Sequence, residues 1–315
     1  MRAIRYHSTG PACELRLEDV AVPTPAAGEV VVRVLSASLN PVDWKIATGK
    51  FRLLVKGGLP RTMGSDFAGD VAAVGPGVPG VRVGEPVWGF VDPFKQPQGT
   101  FAEFCAVPAA NVFPRPAELS SRDAAALACV GVTAVTMCDL AGVSPGKCVL
   151  VNGASGGVGH IAVQVAKARG ARVTAVASDR RREFVTSLGA DEFIDYGRSA
   201  PGSWPGGFDA VFDCVPNLPR SIHRRLLKKG GHYVSTLPDA ATFLLDPILN
   251  RLGQVRRHGV MIGPSAAAMQ ELAADLARGR LRCHIEEEFT LDQVADAIAR
   301  SRAGRVQGKL VIRVE

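Results

Sequence analysis

The sequence predicts an α/β chain of two domains, a β-rich first part followed by a doubly wound parallel sheet. Three observations carry this reading. The chain has 315 residues, which favours two domains over one. Its 47% hydrophobic content is enough to build large cores. From Val149 to Asp179 an apolar strand, a glycine turn, a helical stretch and a second strand succeed one another without interruption.

That stretch orders the rest. Val149, Leu150 and Val151 form the apolar run of a strand buried on both faces. Gly153, Ala154, Ser155, Gly156, Gly157, Val158 and Gly159 come next, without a large side chain. Ile161, Val165 and Ala168 recur at helical spacing, Gly170 stops the helix, and Arg172 to Ala177 supplies the next strand. A turn that lets backbone amides approach a pyrophosphate cannot carry Cβ atoms, and the helix N-terminus adds partial positive charge. Gly153, Gly156 and Gly159 give GxxGxxG, and Ala154, Gly156 and Gly159 give AxGxxG, one small residue away from the dinucleotide-binding spacing.

Before this stretch, Met1 to Tyr6, Glu29 to Leu35, Gly69 to Val74 and Glu85 to Phe90 read as strands, separated by turns such as Pro23-Thr24-Pro25 and Gly75-Pro76-Gly77. The character changes at Ser120. Ser121-Arg122-Asp123 opens a capped helix, and Pro114 and Pro116 mark a boundary near residue 119. Ala171 to Ala177, Glu192 to Asp195, Asp209 to Asp213, Gly231 to Thr236 and Val255 to Ile262 join Val149 to Val151 as six strands of one parallel sheet. Two helices, Ser265 to Arg278 and Leu291 to Arg302, precede a closing strand from Lys309 to Val314. The expected domains are 1–119, completed by about 275–315, and 120–274.

Bulk charge excludes some classes. Lys and Arg number 37 against 30 Asp and Glu, a net charge of +7, yet the basic clusters Arg180-Arg181-Arg182, Lys228-Lys229 and Arg256-Arg257 lack interleaved aromatics. A nucleic-acid surface is therefore disfavoured. The seven cysteines are widely spaced and include no CxxC pair, against a disulfide framework or the common zinc spacings. MRAIRYHSTG lacks an apolar signal core, and no apolar run is read as reaching the roughly 18 residues of a spanning helix, so a cytoplasmic protein is expected.

Ordered motifs run through the whole chain: Asn40-Pro41-Val42-Asp43, Gly64-Ser65-Asp66-Phe67-Ala68-Gly69, Gly131-Val132-Thr133-Ala134, Asn152 to Gly159, Ser187-Leu188-Gly189-Ala190-Asp191, Ile194-Asp195-Tyr196 and Gly308-Lys309-Leu310-Val311. With them the chain resembles the medium-chain dehydrogenase/reductase superfamily, in its zinc-independent quinone oxidoreductase and enone reductase branch. The resemblance implies a GroES-like β-rich catalytic domain plus a Rossmann domain, NADPH as cofactor and a homodimer. Zinc-dependent relatives place a Cys, a Gly-His-Glu and a second Cys about the nicotinamide. The matching positions here are Asn40, Gly64-Ser65-Asp66 and Cys129, and the four-cysteine structural loop is missing after Val91, so no zinc is expected. Cys129 is then read as a small buried apolar residue.

Without a metal, the chemistry implied is hydride addition to a conjugated acceptor, a quinone or an α,β-unsaturated carbonyl. By resemblance Asn40, Asp43 and Lys45 line the face where substrate meets nicotinamide, with Asn40 as an amide donor and Lys45 as a positive charge; turn formation, helix capping and solvent exposure are their plain alternatives. No tyrosine lies between Tyr6 and Tyr196, which leaves solvent as a proton source.

Ser178 aligns with the end of the second strand, Arg180 comes just after it, and Tyr196 in relatives lies near the 2′-phosphate; together they favour NADPH, while the adjacent Asp179 would repel a phosphate if it turned inward. Thr133, Ser155 to Val158, Cys214-Val215, Gly308 and Lys309 complete the cofactor contacts that the resemblance implies. His160 is read as a helix-surface histidine.

Two other readings stay open. An enoyl-thioester or biosynthetic tailoring reductase would keep the fold, and a basic patch that included Lys56 and Arg61 would favour it. A cofactor-binding structural or RNA-associated protein would instead show steep salt dependence of RNA retention. The substrate pocket falls to the stretches Ala47 to Arg61 and Leu237 to Leu252.

Overall fold

The computed structural model of the chain describes residues 1–237, 241–242 and 245–314. It divides into two compact units. One takes Met1–Cys129, Gly263–Met269 and Ile285–Glu315; the other takes Val130–Ile262 and Gln270–His284.

The first unit is built on β1 (Arg2–Tyr6), β2 (Arg16–Asp19), β3 (Glu29–Leu39), β4 (Arg61–Thr62), β5 (Asp66–Val74), β6 (Pro86–Phe90), β7 (Phe104–Pro108) and β8 (Val112–Pro114). The second contributes β9 (Cys148–Asn152), β10 (Arg172–Ala177), β11 (Glu192–Asp195), β12 (Phe208–Asp213), β13 (Leu227–Ser235) and β14 (Val255–Gly259). The chain ends on β15 (Ile285–Thr290) and β16 (Lys309–Arg313) in the first unit.

β3 is the spine of the first unit. It pairs antiparallel with β5, with β7 along its valine-rich first half and with β16 along Ser36 to Leu39, in a seven-stranded sheet running β15-β16-β3-β5-β6-β8 with β7 added on β3. Val30, Val32, Val34, Phe67 and Ile312 meet in one buried cluster. The sequence places β3 at Glu29 to Leu35; the ladder carries it on to Leu39, because Ser36, Ala37 and Ser38 still find partners across β5 and β16. Two registers matter for chemistry. Ser38 lies opposite Asp66, and Leu39 lies opposite Leu310, which brings both ends of the chain's β-rich part to Asn40.

All six strands of the second unit are parallel, in the order β11-β10-β9-β12-β13-β14. The order reverses between β9 and β12, so a crevice opens beyond the carboxyl ends of those two strands. The helix Gly157–Ala168 comes after β9, and its residues from Gly159 to Val165 and Ala166 are buried all round. Gly170 holds φ +81° at its end, the left-handed stop expected of glycine. Strand positions match the six expected, with β13 beginning earlier, at Leu227.

The helix Ser121–Leu140 corrects one expectation. It is long and apolar enough to cross a membrane, with a mean hydropathy of 1.5, but 72% of its most apolar window is buried. It reads as a core helix; the helix itself was expected from Ser121, but not its apolar length, because Arg122, Asp123 and Asp139 flank the alanine-rich middle.

The core makes a stability prediction. Phe67 is fully buried at the centre of its cluster, so Phe67→Ala should lower unfolding free energy by about 3–5 kcal/mol, read as a fall in urea midpoint at unchanged slope.

Candidate active site

In the second unit the candidate site forms where β9 and β12 end side by side, Asn152 opposite Asp213. Asp213 is fully buried and anchors both loops that leave these strands. It accepts from the Asn152 amide at 2.8 Å, the Tyr233 hydroxyl at 2.7 Å, and the backbone N–H groups of Asn217 and Leu218 at 3.1 and 3.0 Å. Gly153 has φ +77°, and a Cβ there would lie 2.1 Å from the Val215 side chain. A Cβ on Gly159 would lie 2.1 Å from the Gly153 carbonyl. These two glycines are required by the turn itself, whereas Gly156 has room for a side chain on the protein side, with its nearest neighbour at 3.5 Å.

Ser155, Gly156, Gly157 and Val158 are half-buried at the turn, and the first helical bond runs only from His160 N to Gly156 O at 3.0 Å. The amides of Gly157, Val158 and Gly159 precede the helical ladder, as an anion site at a helix N-terminus needs, whereas Gly153 and Ala154 donate to Val176 O and Gly156 to Gly153 O. Cys214 is half-buried and Val215 exposed beyond β12; Thr133 is buried on its helix and Ala154 in the turn.

At the end of β10 the acidic residue is already occupied. Asp179 receives the Arg182 guanidinium at 2.8 Å and that of Arg198 at 3.4 Å, and the Arg182 hydrogen bond holds its carboxyl below the usual carboxylate range. Ser178 is half-buried, Arg180 is exposed and makes no ion pair or hydrogen bond among the described residues, and Tyr196 is half exposed one residue beyond β11.

His160 departs from the surface position expected. It is fully buried, with Nδ1 2.9 Å from Gly156 O and Nε2 3.3 Å from the His284 amide and 3.7 Å from the Cys283 sulfur. The helix has no solvent face at this turn, so spacing alone could not place the ring.

The first unit holds a different cluster. Asn40 precedes the helix Pro41–Ala47, with Pro41 at its first position, where a missing N–H costs nothing. The Asp43 carboxylate accepts from Asn40 N at 2.7 Å and from the Ser65 hydroxyl at 2.9 Å. The Asn40 side chain turns the other way. Its Nδ2 donates to Asp66 at 2.8 Å and Ser65 at 3.3 Å, and its Oδ1 accepts from Lys309 at 2.6 Å.

Asp66 also accepts from Ser38 Oγ at 2.5 Å and Cys129 N at 3.0 Å, and pairs with Lys309 at 3.5 Å. Lys309 completes its bonding on Leu39 O at 3.2 Å. Asn40, Asp43, Ser65, Asp66 and Lys309 are all buried, and Gly308 with them. Burial pushes the Asp43 carboxyl up to about 7 against the hydrogen bond from Asn40, and it also raises Asp66, which Lys309 pulls back.

The structure thus brings Asn40, Asp43, Gly308 and Lys309 together and leaves Lys45 out: its ammonium lies 5.5 Å from the Trp44 ring centroid and makes no hydrogen bond with the cluster. Ser38, Ser65 and Asp66 enter as partners that were not read as site residues. The sequence signal for them was the Gly64-Ser65-Asp66 motif itself, whose polar pair opens an otherwise apolar strand. Cys129 is half-buried rather than core, and its backbone amide is what binds Asp66.

Arg61 is buried and spends its guanidinium on the carbonyls of Lys56, Pro93 and Gln96, so it offers no surface charge to a thioester's phosphates. Of the second expected pocket stretch, residues 238–240 and 243–244 lie outside the described residues.

A tetrahedral zinc site needs thiolate, imidazole or carboxylate donors. Here the matching positions offer a carboxamide, a hydroxyl, a carboxylate already holding three hydrogen bonds and the Lys309 ammonium, and a single thiol, that of Cys129. Among the described residues no group of three His, Cys, Asp or Glu converges. The donor set does not fit zinc.

Comparison with known proteins agrees with this architecture. Residues 26–117 match the alcohol dehydrogenase GroES-like domain, and residues 188–312 match the model described as zinc-binding dehydrogenase. The chain is 33% identical over 326 residues to the chloroplast envelope quinone oxidoreductase homolog of Arabidopsis thaliana, covering 99% of this chain and 98% of that one. It is 34% identical to the 2-methylene-furan-3-one reductase of Solanum lycopersicum, over 99% of this chain and 79% of the relative. Among solved structures, the quinone oxidoreductase from Coxiella burnetii superposes with a TM-score of 0.91 at 30% identity, covering 100% of this chain and 99% of that one. Fold and site together define a two-unit dehydrogenase/reductase. The chain belongs to the medium-chain dehydrogenase/reductase superfamily, in its quinone oxidoreductase branch.

The raised Asp43 carboxyl makes stability depend on pH. An acid that ionises near 3.8 when unfolded and near 7 when folded binds its proton more tightly in the folded state. Its stabilising contribution is full at low pH and is lost as pH rises through about 7. Asp43→Asn mimics the protonated acid, its new amide still accepting from Asn40 N and donating to Ser65. The variant's melting temperature relative to wild type should therefore rise between pH 5 and pH 8, by about 3 °C or more. A difference that stays flat would show that Asp43 is ionised throughout.

Proposed function

We propose that the protein is a zinc-independent, NADPH-dependent oxidoreductase that transfers hydride to a quinone or an α,β-unsaturated carbonyl. The observation that carries this is the ammonium of Lys309 inside the Asn40–Asp66 cluster, where a metal-dependent dehydrogenase would need metal ligands. Without a Lewis acid to polarise a simple ketone, the workable acceptor is one already conjugated. The names of the relatives, quinone oxidoreductase, 2-methylene-furan-3-one reductase and NADPH-dependent alkenal/one oxidoreductase, fall within that class of acceptor.

A nicotinamide dinucleotide supplies hydride when bound, and the chain's own residues divide the work of holding it. Gly153 to Gly159 take the pyrophosphate, Thr133, Cys214 and Val215 border the nicotinamide side, and Ser178, Arg180 and Tyr196 take the adenosine 2′-phosphate. What supports a preference for that phosphate is the pairing of Asp179 with Arg182 and Arg198, which offsets its negative charge beside the ribose position. Asn40 and Asp43 belong to the substrate side, as parts of a rigid buried network rather than as free donors, since both amide hydrogens of Asn40 are already used. A homodimer, a cytoplasmic location and no nucleic-acid partner complete the reading.

NADPH oxidation against a benzoquinone, a naphthoquinone, an alkyl enone, an alkenal and an enoyl thioester, with NADH in parallel, tests it. Turnover of quinone or enone with NADPH preferred is expected, and NADH preference or thioester-only turnover would overturn it. Arg180→Ala should cost about tenfold in kcat/KM for NADPH while leaving NADH unchanged, the loss of roughly one charge-assisted hydrogen bond.

A further inference from the structure

The two buried acids of the cluster are held unequally, and only Asp66 is ion-paired. Asp43 and Asp66 are buried, and among the described residues a single ammonium, that of Lys309, is in bonding range. Tyr6 and Arg61 face Asp43 across a small recess, but the Arg61 guanidinium is spent on backbone carbonyls. Arg61 keeps its positive charge but makes no ion pair with Asp43 among the described residues, so Asp43 has no bonded cation and burial disfavours its ionised form.

The hydrogen bonds say which acid is neutral. Asp66 collects Ser38, Asn40, the Cys129 amide and Lys309, whereas Asp43 collects only the Asn40 amide and Ser65. Three hydrogen bonds and an ion pair favour the carboxylate at Asp66, and two hydrogen bonds leave Asp43 as the place for the proton.

We propose that Lys309 is a positioning residue of the reductase site, the fixed cation that keeps Asp66 ionised and the Asn40 carboxamide in one orientation, while Asp43 carries the cluster's one exchangeable proton. This rests on the reading of Asn40 as a substrate-side residue. With Oδ1 held by Lys309 and Nδ2 by Asp66 and Ser65, the carboxamide cannot flip. Without the ammonium, Asp66 would compete for the proton and the carboxamide oxygen would lose its donor, leaving only the Asp66 and Ser65 contacts of Nδ2 to orient the group.

The test combines kinetics with a titration that needs no turnover. Lys309→Ala should lower kcat at least tenfold with NADPH affinity, read by fluorescence, within twofold of wild type. Millimolar ethylammonium should recover part of kcat, and tetramethylammonium, too large for the gap, should not. Retained kcat in Lys309→Ala would overturn the positioning role, and parallel loss of NADPH affinity would reassign Lys309 as a cofactor ligand. Should that variant fail to fold, Lys309→Met keeps the stem and removes only the charge, with the same loss of kcat expected.

In parallel, carbon-13 detection of aspartate carboxyl groups in the wild-type protein should show Asp43 titrating near neutral pH and Asp66 ionised across that range. Asp66 carrying the titration instead would overturn the proton assignment. This arm stands even if no acceptor is turned over, so a wrong substrate class and a wrong cluster assignment give different results.

Discussion

Burying two carboxylates obliges a protein to bury a compensating charge with them, and much of the β-rich unit is arranged to meet that demand. Asp66 and Asp43 both bond Asn40, through its side chain and its backbone amide, and the ammonium that reaches Asp66 comes from Lys309, 269 residues beyond Asn40. The strand pairing brings it there. β16 lies against β3 with Leu310 opposite Leu39, so the residue before Leu310 arrives beside the residue after Leu39. The same sheet places Ser38 opposite Asp66. A polar network of this kind rigidifies a site only when every member is satisfied, and here the two ends of the Asn40 carboxamide, the Lys309 ammonium and the Asp66 carboxylate all are.

The parallel-sheet unit solves a simpler problem. It must present backbone amides at a bend between a strand and a helix, and glycine is demanded at that bend by the protein's own packing as well as by any ligand. Gly153 makes room for Val215, and Gly159 makes room for the Gly153 carbonyl. Asp213 ties the neighbouring strand ends to the same place. The turn is therefore preformed, which lowers the ordering cost of binding a dinucleotide.

These two units differ in how far their sequence could be read. The parallel strands announce themselves, because a strand buried on both faces has to be a continuous apolar run, and Val149 to Val151 or Val173 to Ala177 can be little else. The glycine turn was equally legible, since the spacing has one geometry. The buried cluster was legible only in pieces. Asn40 and Asp43 sit in one motif and Lys309 in another, and nothing local says that they touch; the contact is a product of sheet register. His160 marks an error of placement. A histidine after a glycine turn was placed at the surface, but its helix is enclosed on every side at that point. Lys45, read as a positive charge on the substrate face with solvent exposure as its alternative, lies outside the buried cluster, its ammonium 5.5 Å from the Trp44 ring centroid.

If an internal ammonium, and no metal, accompanies hydride transfer in this protein as proposed, removing metal must leave catalysis intact. The most direct measurement is steady-state reduction of a naphthoquinone by NADPH with protein dialysed exhaustively against a chelator, its zinc content determined in the same sample. Full activity at negligible zinc is the expected result. Activity lost on chelation and restored by stoichiometric zinc would contradict it.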